Sequence, residues 1–293
     1  MTATDTAPAT ATADVLRYTA FTADPTGGNP AGVVLDAARL EDAAMLATAA
    51  EVGYSETAFV TAADERNRRF ALRYFSPLDE VAFCGHVTIA TAVALAERIG
   101  PGELVFDTRA GQIPVTTTVD AAGAVHATLT SVPTRSRAAT DRELDTTLRA
   151  LGWDHADLDP ALPPQVAFAG NEHLVLATAT RARLADLDYD FEALAAVMRE
   201  HGWTTVQLVW READNLFHAR DPFPVGGVVE DPATGAAAAA LGGYLRAIGQ
   251  VTAPFSLTIR QGEDMGRPSR LRVDVDPADP RVRVTGQAVP IAG

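Results

Sequence analysis

The sequence predicts an α+β fold of two related halves, each a curled β-sheet wrapped around one central helix. Short β-branched and aromatic runs with turn-rich borders dominate the chain. Two helical stretches, His86 to Arg98 and Ala236 to Ile248, are apolar on nearly every side. A helix without a polar face has to be surrounded, and in a chain full of strands a curled sheet can surround it. The segments around these helices also repeat. Phe70 to Phe75 leads to Gly85, the first apolar helix and Ile99-Gly100, while Leu216 to Arg220 leads to Gly235, the second helix and Ile248-Gly249. Gly85 and Gly235 are 150 positions apart in a chain of 293 residues, so the offset is half the chain.

The strand-like runs are Val15 to Phe21, Thr57 to Thr61, Arg69 to Phe75, Ile113 to Val119, His173 to Thr178, Thr205 to Trp210, Phe255 to Arg260 and Leu271 to Val275. Helices are expected at Leu40 to Glu51, His86 to Arg98, Asp141 to Leu151, Asp190 to His201 and Ala236 to Ile248. Arg142 to Ala150 and Phe191 to Glu200 are amphipathic, so these two helices should pack on the surface. In the repeat, Ala58-Phe59-Val60 falls opposite Leu208-Val209-Trp210. Residues 1–14, rich in Thr and Ala, lack the basic-then-apolar order of a signal peptide and are expected to be a mobile tail. The first half is placed over 15–122 and the second over 123–275, with the join near Thr118 to Ala127. Residues 276–293 are expected to return and complete the first half.

Composition narrows the chemistry. A formal net charge of −14 repels phosphate backbones and anionic lipid, so neither nucleic acid nor membrane is an expected partner. No apolar run reaches membrane-spanning length. Cys84 is the only cysteine, which rules out a disulfide within the chain and fits the reducing cytoplasm. The 6 histidines are scattered and no cluster has zinc-ligand spacing. The chain has no lysine, and all 24 basic residues are arginine. A Schiff-base lysine, a pyridoxal-phosphate anchor and a P-loop lysine are therefore excluded. Gly27-Gly28-Asn29-Pro30 is not a dinucleotide fingerprint. The expectation is an enzyme with no cofactor and no metal.

Each apolar helix starts at a glycine-containing turn, Cys84-Gly85-His86 in the first half and Thr234-Gly235-Ala236 in the second. Helix N-termini present free N–H groups and partial positive charge, so they bind anions. Glycine lets a ligand approach the backbone closely, although both glycines could equally serve only to tighten turns. If a pseudo-twofold axis relates the halves, the two N-termini face one cleft and can hold a small carboxylate between them. Acid-base groups lie beside these turns: His86 at the first helix, Asp231 in Glu230-Asp231-Pro232 before the second, and Glu56 just ahead of an apolar strand. Taken singly, Asp231 could be a helix cap, Glu56 a solvated strand-edge residue and His86 a structural histidine.

Phe21-Thr22-Ala23-Asp24-Pro25 with Gly28-Asn29-Pro30-Ala31-Gly32-Val33-Val34 resembles the opening signature of the phenazine-biosynthesis isomerase-like family. Ser55-Glu56-Thr57-Ala58-Phe59-Val60, Phe75-Ser76-Pro77 with Glu80, and Phe83 to Ala90 continue the resemblance. Glu230-Asp231-Pro232-Ala233-Thr234-Gly235, and Gln261-Gly262 with Gly266-Arg267-Pro268, complete it in the family's order over nearly everything after the tail. The fold so implied is two pseudo-symmetric barrel-like domains, each with a central helix, as in diaminopimelate epimerase. The activity implied is a cofactor-independent proton shift, of the kind that isomerises trans-2,3-dihydro-3-hydroxyanthranilate. The resemblance puts catalytic roles on Glu56, His86 and Asp231, and substrate contacts on Asn29, Ser55, Gly85, Gly235 and Ala236. It also implies a homodimer.

One position departs from the family. Serine commonly follows the Thr-Gly of the second motif, where this chain has Ala236, so a hydroxyl donor is missing. Two other readings follow from the same residues. Epimerases and racemases of this architecture use one cysteine from each half; Cys84 matches one such half-site, but the second half offers Ala233 and no thiol. An epimerase would then have to use Glu56 with another base. A catalytically lapsed carboxylate-binding protein is the third reading, which the loss of the hydroxyl at Ala236 favours and the presence of Glu56, His86 and Asp231 together opposes.

Overall fold

The computed structural model describes residues 13–291, so most of the expected tail, residues 1–12, lies outside the described residues. The first half contains β1 (Leu16–Ala20), β2 (Asn29–Val34), α1 (Asp42–Val52), β3 (Thr57–Asp64), β4 (Arg69–Phe75), β5 (Glu80–Val81), α2 (Gly85–Ile99), β6 (Gly102–Thr108), β7 (Gly111–Val119) and β8 (Val125–Thr130). There follow β9 (Arg135–Ala138), α3 (Asp141–Leu151), β10 (Gln165–Phe168), β11 (Glu172–Ala177), α4 (Arg181–Ala185), α5 (Phe191–His201), β12 (Trp203–Ala213), β13 (Leu216–Pro222) and β14 (Glu230–Asp231). The chain ends with α6 (Gly235–Ala247), β15 (Phe255–Gln261), β16 (Ser269–Val275) and β17 (Val282–Pro290).

In the first half the ladders close on themselves in the order β1, β2, β3, β4, β6, β7, β8 and β17, and β17 returns to β1. The β2–β3 and β4–β6 pairs are parallel and the rest antiparallel. The second half repeats the strand order without a closing ladder: β10, β11, β12, β13, β15, β16 and β17 pair in turn, with β11–β12 and β13–β15 parallel and β9 added outside β10. The last strand belongs to both sheets, because β17 pairs with β16 as well as with β8 and β1. Strand β8 carries the first barrel on to Thr130, past residue 122 where the repeat places the division. It does so because β7 and β8 form a local antiparallel hairpin.

The two central helices are enclosed as their composition demands. Every residue of α2 from His86 to Ala96 is buried, as is every residue of α6 from Ala237 to Leu245, and one apolar cluster unites the two barrels. The amphipathic pair α3 and α5 covers the outer face of the second sheet, packing Leu148, Leu151, Leu194 and Met198 on Leu174, Leu176, Val206 and Leu208. Strand β3 differs from the expected repeat by one position. Ala58 and Val60 face α2, whereas Leu208 faces the outer α3–α5 layer and Val209 faces inward. A slip of one residue reverses the face of every side chain in a strand, so the inward counterparts in β12 are Gln207 and Val209 rather than Leu208 and Trp210.

Phe21 stitches the halves together. It has a positive φ of 64°, donates its N–H to Gln287 O at 2.7 Å and accepts from Arg270 N at 2.7 Å. Its ring packs against Gly286, where an added Cβ would sit 2.3 Å from ring atom Cδ1. Gly286→Ala should therefore cost about 1–3 kcal/mol of stability through overpacking. Urea unfolding measures this, and a midpoint equal to that of the wild type would show that the ring has room to move.

Candidate active site

The site is assembled from five short segments around the starts of α2 and α6. Glu56 closes the turn between α1 and β3, and its side chain is 17% exposed. Cys84 is the N-cap of α2, and His86 lies in the first turn with its side chain 6% exposed. The thiol of Cys84 donates to Glu56 Oε2 at 3.4 Å and lies 3.3 Å from His86 Nδ1. His86 Nε2 is 3.7 Å from Glu56 Oε2 and 3.5 Å from Ser55 Oγ. From the second half comes Asp231. Its Oδ1 accepts from the Asn29 amide at 2.8 Å and its Oδ2 from the Thr234 hydroxyl at 2.5 Å. Asn29 also donates to Ala233 O at 3.1 Å, so it ties the start of β2 to the turn that opens α6. Thus Glu56, His86 and Asp231 lie within reach of one another's fields, with Ser55 beside His86 and Asn29 on Asp231.

The electrostatics follow from burial. Burial is the main reason the Asp231 carboxyl is pushed up to about 6, and the charge of Glu56 adds to it. A charged His86, the Thr234 hydroxyl and the Asn29 amide oppose the rise. Burial also drives the Cys84 thiol well above its ordinary value, reinforced by the negative charges of Glu56 and Asp231, so the thiol stays protonated.

Two matching ion pairs brace the short strands that precede the helices. Arg73 forks onto Glu80 at 2.8 and 2.7 Å in the first half. Arg220 forks onto the buried Glu230 at 3.1 and 2.6 Å in the second. Each fixes a two-residue strand, β5 or β14, against β4 or β13, which is how Asp231 is held at the mouth of the second barrel.

Neither helix-start glycine is needed by the backbone or by packing. Gly85 and Gly235 are absent from the positive-φ residues. A Cβ on Gly85 would meet nothing nearer than 4.0 Å, and one on Gly235 nothing nearer than 3.5 Å, the Phe21 ring. Turn tightening therefore does not account for them. Room where a side chain would stand lets a small ligand come close to the backbone of each helix start.

The structure adds residues that sequence reasoning left out. Cys84 sits between the catalytic candidates Glu56 and His86 although only its motif drew attention. Gln261 donates to Asp231 O at 2.8 Å and to Thr234 Oγ1 at 3.0 Å, fixing the second turn from β15. The residue of α6 matching Cys84 is its N-cap Thr234, not Ala233. The 150-residue offset between Gly85 and Gly235 already places Thr234 opposite Cys84. The second half thus offers a hydroxyl where the first has a thiol, and the two-thiol mechanism still fails. Behind Asp231, directly opposite it across the β13–β14 ladder, lies the buried Asp221. Asp221 accepts from Thr205, which is hydrogen-bonded to the buried His173.

Comparison with known proteins shows the family and the fold. Residues 18–293 match the family model described as phenazine biosynthesis-like protein. An uncharacterized isomerase of Deinococcus radiodurans is 35% identical over 294 residues, covering 98% of this chain and 92% of that protein. The trans-2,3-dihydro-3-hydroxyanthranilate isomerase of Pseudomonas chlororaphis is 33% identical over 277 residues, covering 92% and 94%. The crystal structure of the Bacillus anthracis phenazine biosynthesis protein of the PhzF family superposes with a TM-score of 0.85 at 26% identity, covering 95% of this chain and 96% of that one. With two pseudo-symmetric barrels, a central helix in each and acid-base groups gathered at the helix starts, the chain belongs to the phenazine biosynthesis-like protein family and is an isomerase.

Proposed function

We propose that the chain catalyses a cofactor-independent proton shift on a small unsaturated or cyclic carboxylate, of the trans-2,3-dihydro-3-hydroxyanthranilate isomerase type. The observation that carries this reading is the meeting of Glu56 and His86 from one half with Asp231 from the other, beside the starts of α2 and α6. The substrate carboxylate lies against the N–H groups at Gly85 and at Gly235-Ala236, which also stabilise negative charge developing on the substrate. Glu56 takes a proton from the carbon next to the unsaturated system. His86 and Asp231 position the substrate and hand a proton back at another carbon. Ser55 and Asn29 hold His86 and Asp231 in place. No step draws on a lysine, because the chain has none.

Ala236 leaves its N–H but no hydroxyl at the second helix start, so the substrate lacks the group that a serine would meet, or a water meets it instead. A second reading has one specific observation in its favour. Asp231, poised at about 6, stands across from Glu56 and comes from the other half, as the second base of an epimerase would. A homodimer in the cytoplasm completes the proposal, supported by the family resemblance and by a single cysteine that forms no internal disulfide. Among the described residues no helix is long and apolar enough to cross a membrane.

A crystal soaked with 3-hydroxyanthranilate tests the reading. Its carboxylate is expected between the starts of α2 and α6. Seating instead in the separate groove of about 880 Å³ lined by Asp120, Arg260, Arg270 and Arg272 would overturn it.

A further inference from the structure

We propose that Glu56, Cys84 and His86 form an inhibitory binding site for a thiophilic divalent cation such as zinc or cadmium. The three side chains offer a carboxylate oxygen, a sulfur and an imidazole nitrogen, all within 4.8 Å of one another. A tetrahedral metal with bonds of about 2.0 Å to N and O and about 2.3 Å to S sets its S···N and S···O ligands about 3.5 Å apart. The thiol is 3.3 Å from His86 Nδ1 and 3.4 Å from Glu56 Oε2, close to that spacing before any metal arrives. Only one imidazole nitrogen can bind the ion, and with one donor atom per residue the set lies within 4.8 Å, so the Glu56 carboxylate or the His86 ring has to swing by up to about 1.5 Å to reach the N···O spacing of about 3.3 Å.

The donor set decides the class of ion. One sulfur, one nitrogen and one carboxylate oxygen suit zinc and cadmium, whereas magnesium and calcium require oxygen ligands. The α2 N-terminus opposes a cation, and the nearby carboxylates have to outweigh it. Asp231 faces the same cluster from the second half, and the whole chain carries −14. On binding, the thiol loses its proton to solvent and the sulfur lone pair forms the metal bond, so one proton leaves for each ion bound. The fourth position is left to a water. The ion would then occupy the lone pair with which Glu56 is proposed to take a proton. The inhibitory part therefore rests on the function proposed above, while the binding part does not.

Cadmium titration of the full-length protein tests both parts separately. Cys84 is the only cysteine, so an ultraviolet thiolate-to-cadmium absorption band reports this site alone. The band is expected to saturate at one ion per chain and to vanish in Cys84→Ser. Its affinity should weaken by at least about tenfold in His86→Asn and in Glu56→Gln, zinc should compete for it and magnesium should not. A weak band that His86→Asn and Glu56→Gln leave unchanged would show thiol binding alone and overturn the site. Proton exchange into substrate should fall in step with cadmium occupancy and return with a chelator; full exchange at full occupancy would overturn the inhibition. A metal-free protein that exchanges no substrate proton, yet gives the expected band and variants, would leave the metal site standing and defeat the functional reading instead.

Discussion

Glu56→Gln is expected to lower turnover by about 10⁴-fold, the upper end of what a positioned base contributes, while a carboxylate ligand still binds within several-fold of its wild-type affinity. The substitution keeps the shape of the side chain and removes only its ability to take a proton. Binding is spared because the proposed anchor for the carboxylate is the backbone at Gly85 and Gly235, not Glu56. Steady-state rates together with calorimetric titration of 3-hydroxyanthranilate separate the two quantities. A variant with near-normal turnover on the true substrate would remove Glu56 from the mechanism. Affinity lost along with the rate would instead make it a binding group.

Asp231→Asn and His86→Asn are each expected to cost about 10²–10⁴ in rate if both groups move protons. Asp231 also leaves a mark on stability. Its folded pKa of about 6 lies above the ordinary value of 3.8 because of burial. Between those values the folded protein holds a proton that the unfolded chain releases. The contribution of Asp231 to stability is therefore fully present below about pH 4 and is lost as pH rises through about 6. Asn carries no such dependence. Measured by thermal unfolding, the stability of Asp231→Asn relative to wild type should improve from about pH 4 to about pH 6 and level off by about pH 7. A difference that stays flat across this range would show that the carboxyl does not titrate there.

The enclosed helices could be read in the sequence because an α-helix with almost no polar face has few places to go, and α2 and α6 have little of one. The strand-rich repeat gave the rest of the barrel plan. Strands β2 and β9 are hidden by their composition, and the expected return of residues 276–293 carries no pairing partners. β2 starts at Asn-Pro and contains Gly32, which looks like a turn, yet it pairs on both sides. β9, Arg-Ser-Arg-Ala, is polar and exposed along most of its length because it covers only one edge of β10. β17 alternates buried and exposed residues as a half-buried strand should, but its partners β1, β8 and β16 are fixed by long-range closure that local pattern does not reveal.

At the site, Glu56, His86 and Asp231 could be named from motifs, and the fold brings them together. Their geometry could not. The contacts of Cys84 with Glu56 and of Gln261 with Asp231 span 28 and 30 residues, and that of Asn29 with Asp231 spans 202. The first two depend on long-range closure within one half, and the last on how the two barrels meet. The one-position error in the β3–β12 equivalence has another origin: the connections differ in length, residues 65–68 between β3 and β4 but only 214–215 between β12 and β13, so an offset taken at the helices is not kept in the strands.

Solvent deuterium incorporation is the most direct test of the central claim. The protein is incubated in deuterium oxide with small unsaturated and cyclic carboxylates, including trans-2,3-dihydro-3-hydroxyanthranilate and cyclic amino acids, and label is located by NMR. The account predicts that wild type places deuterium on carbon in an unsaturated substrate with migration of the double bond, without added metal or cofactor, and that Glu56→Gln places none under the same conditions. Carbon-bound label in Glu56→Gln at the wild-type rate would contradict the account.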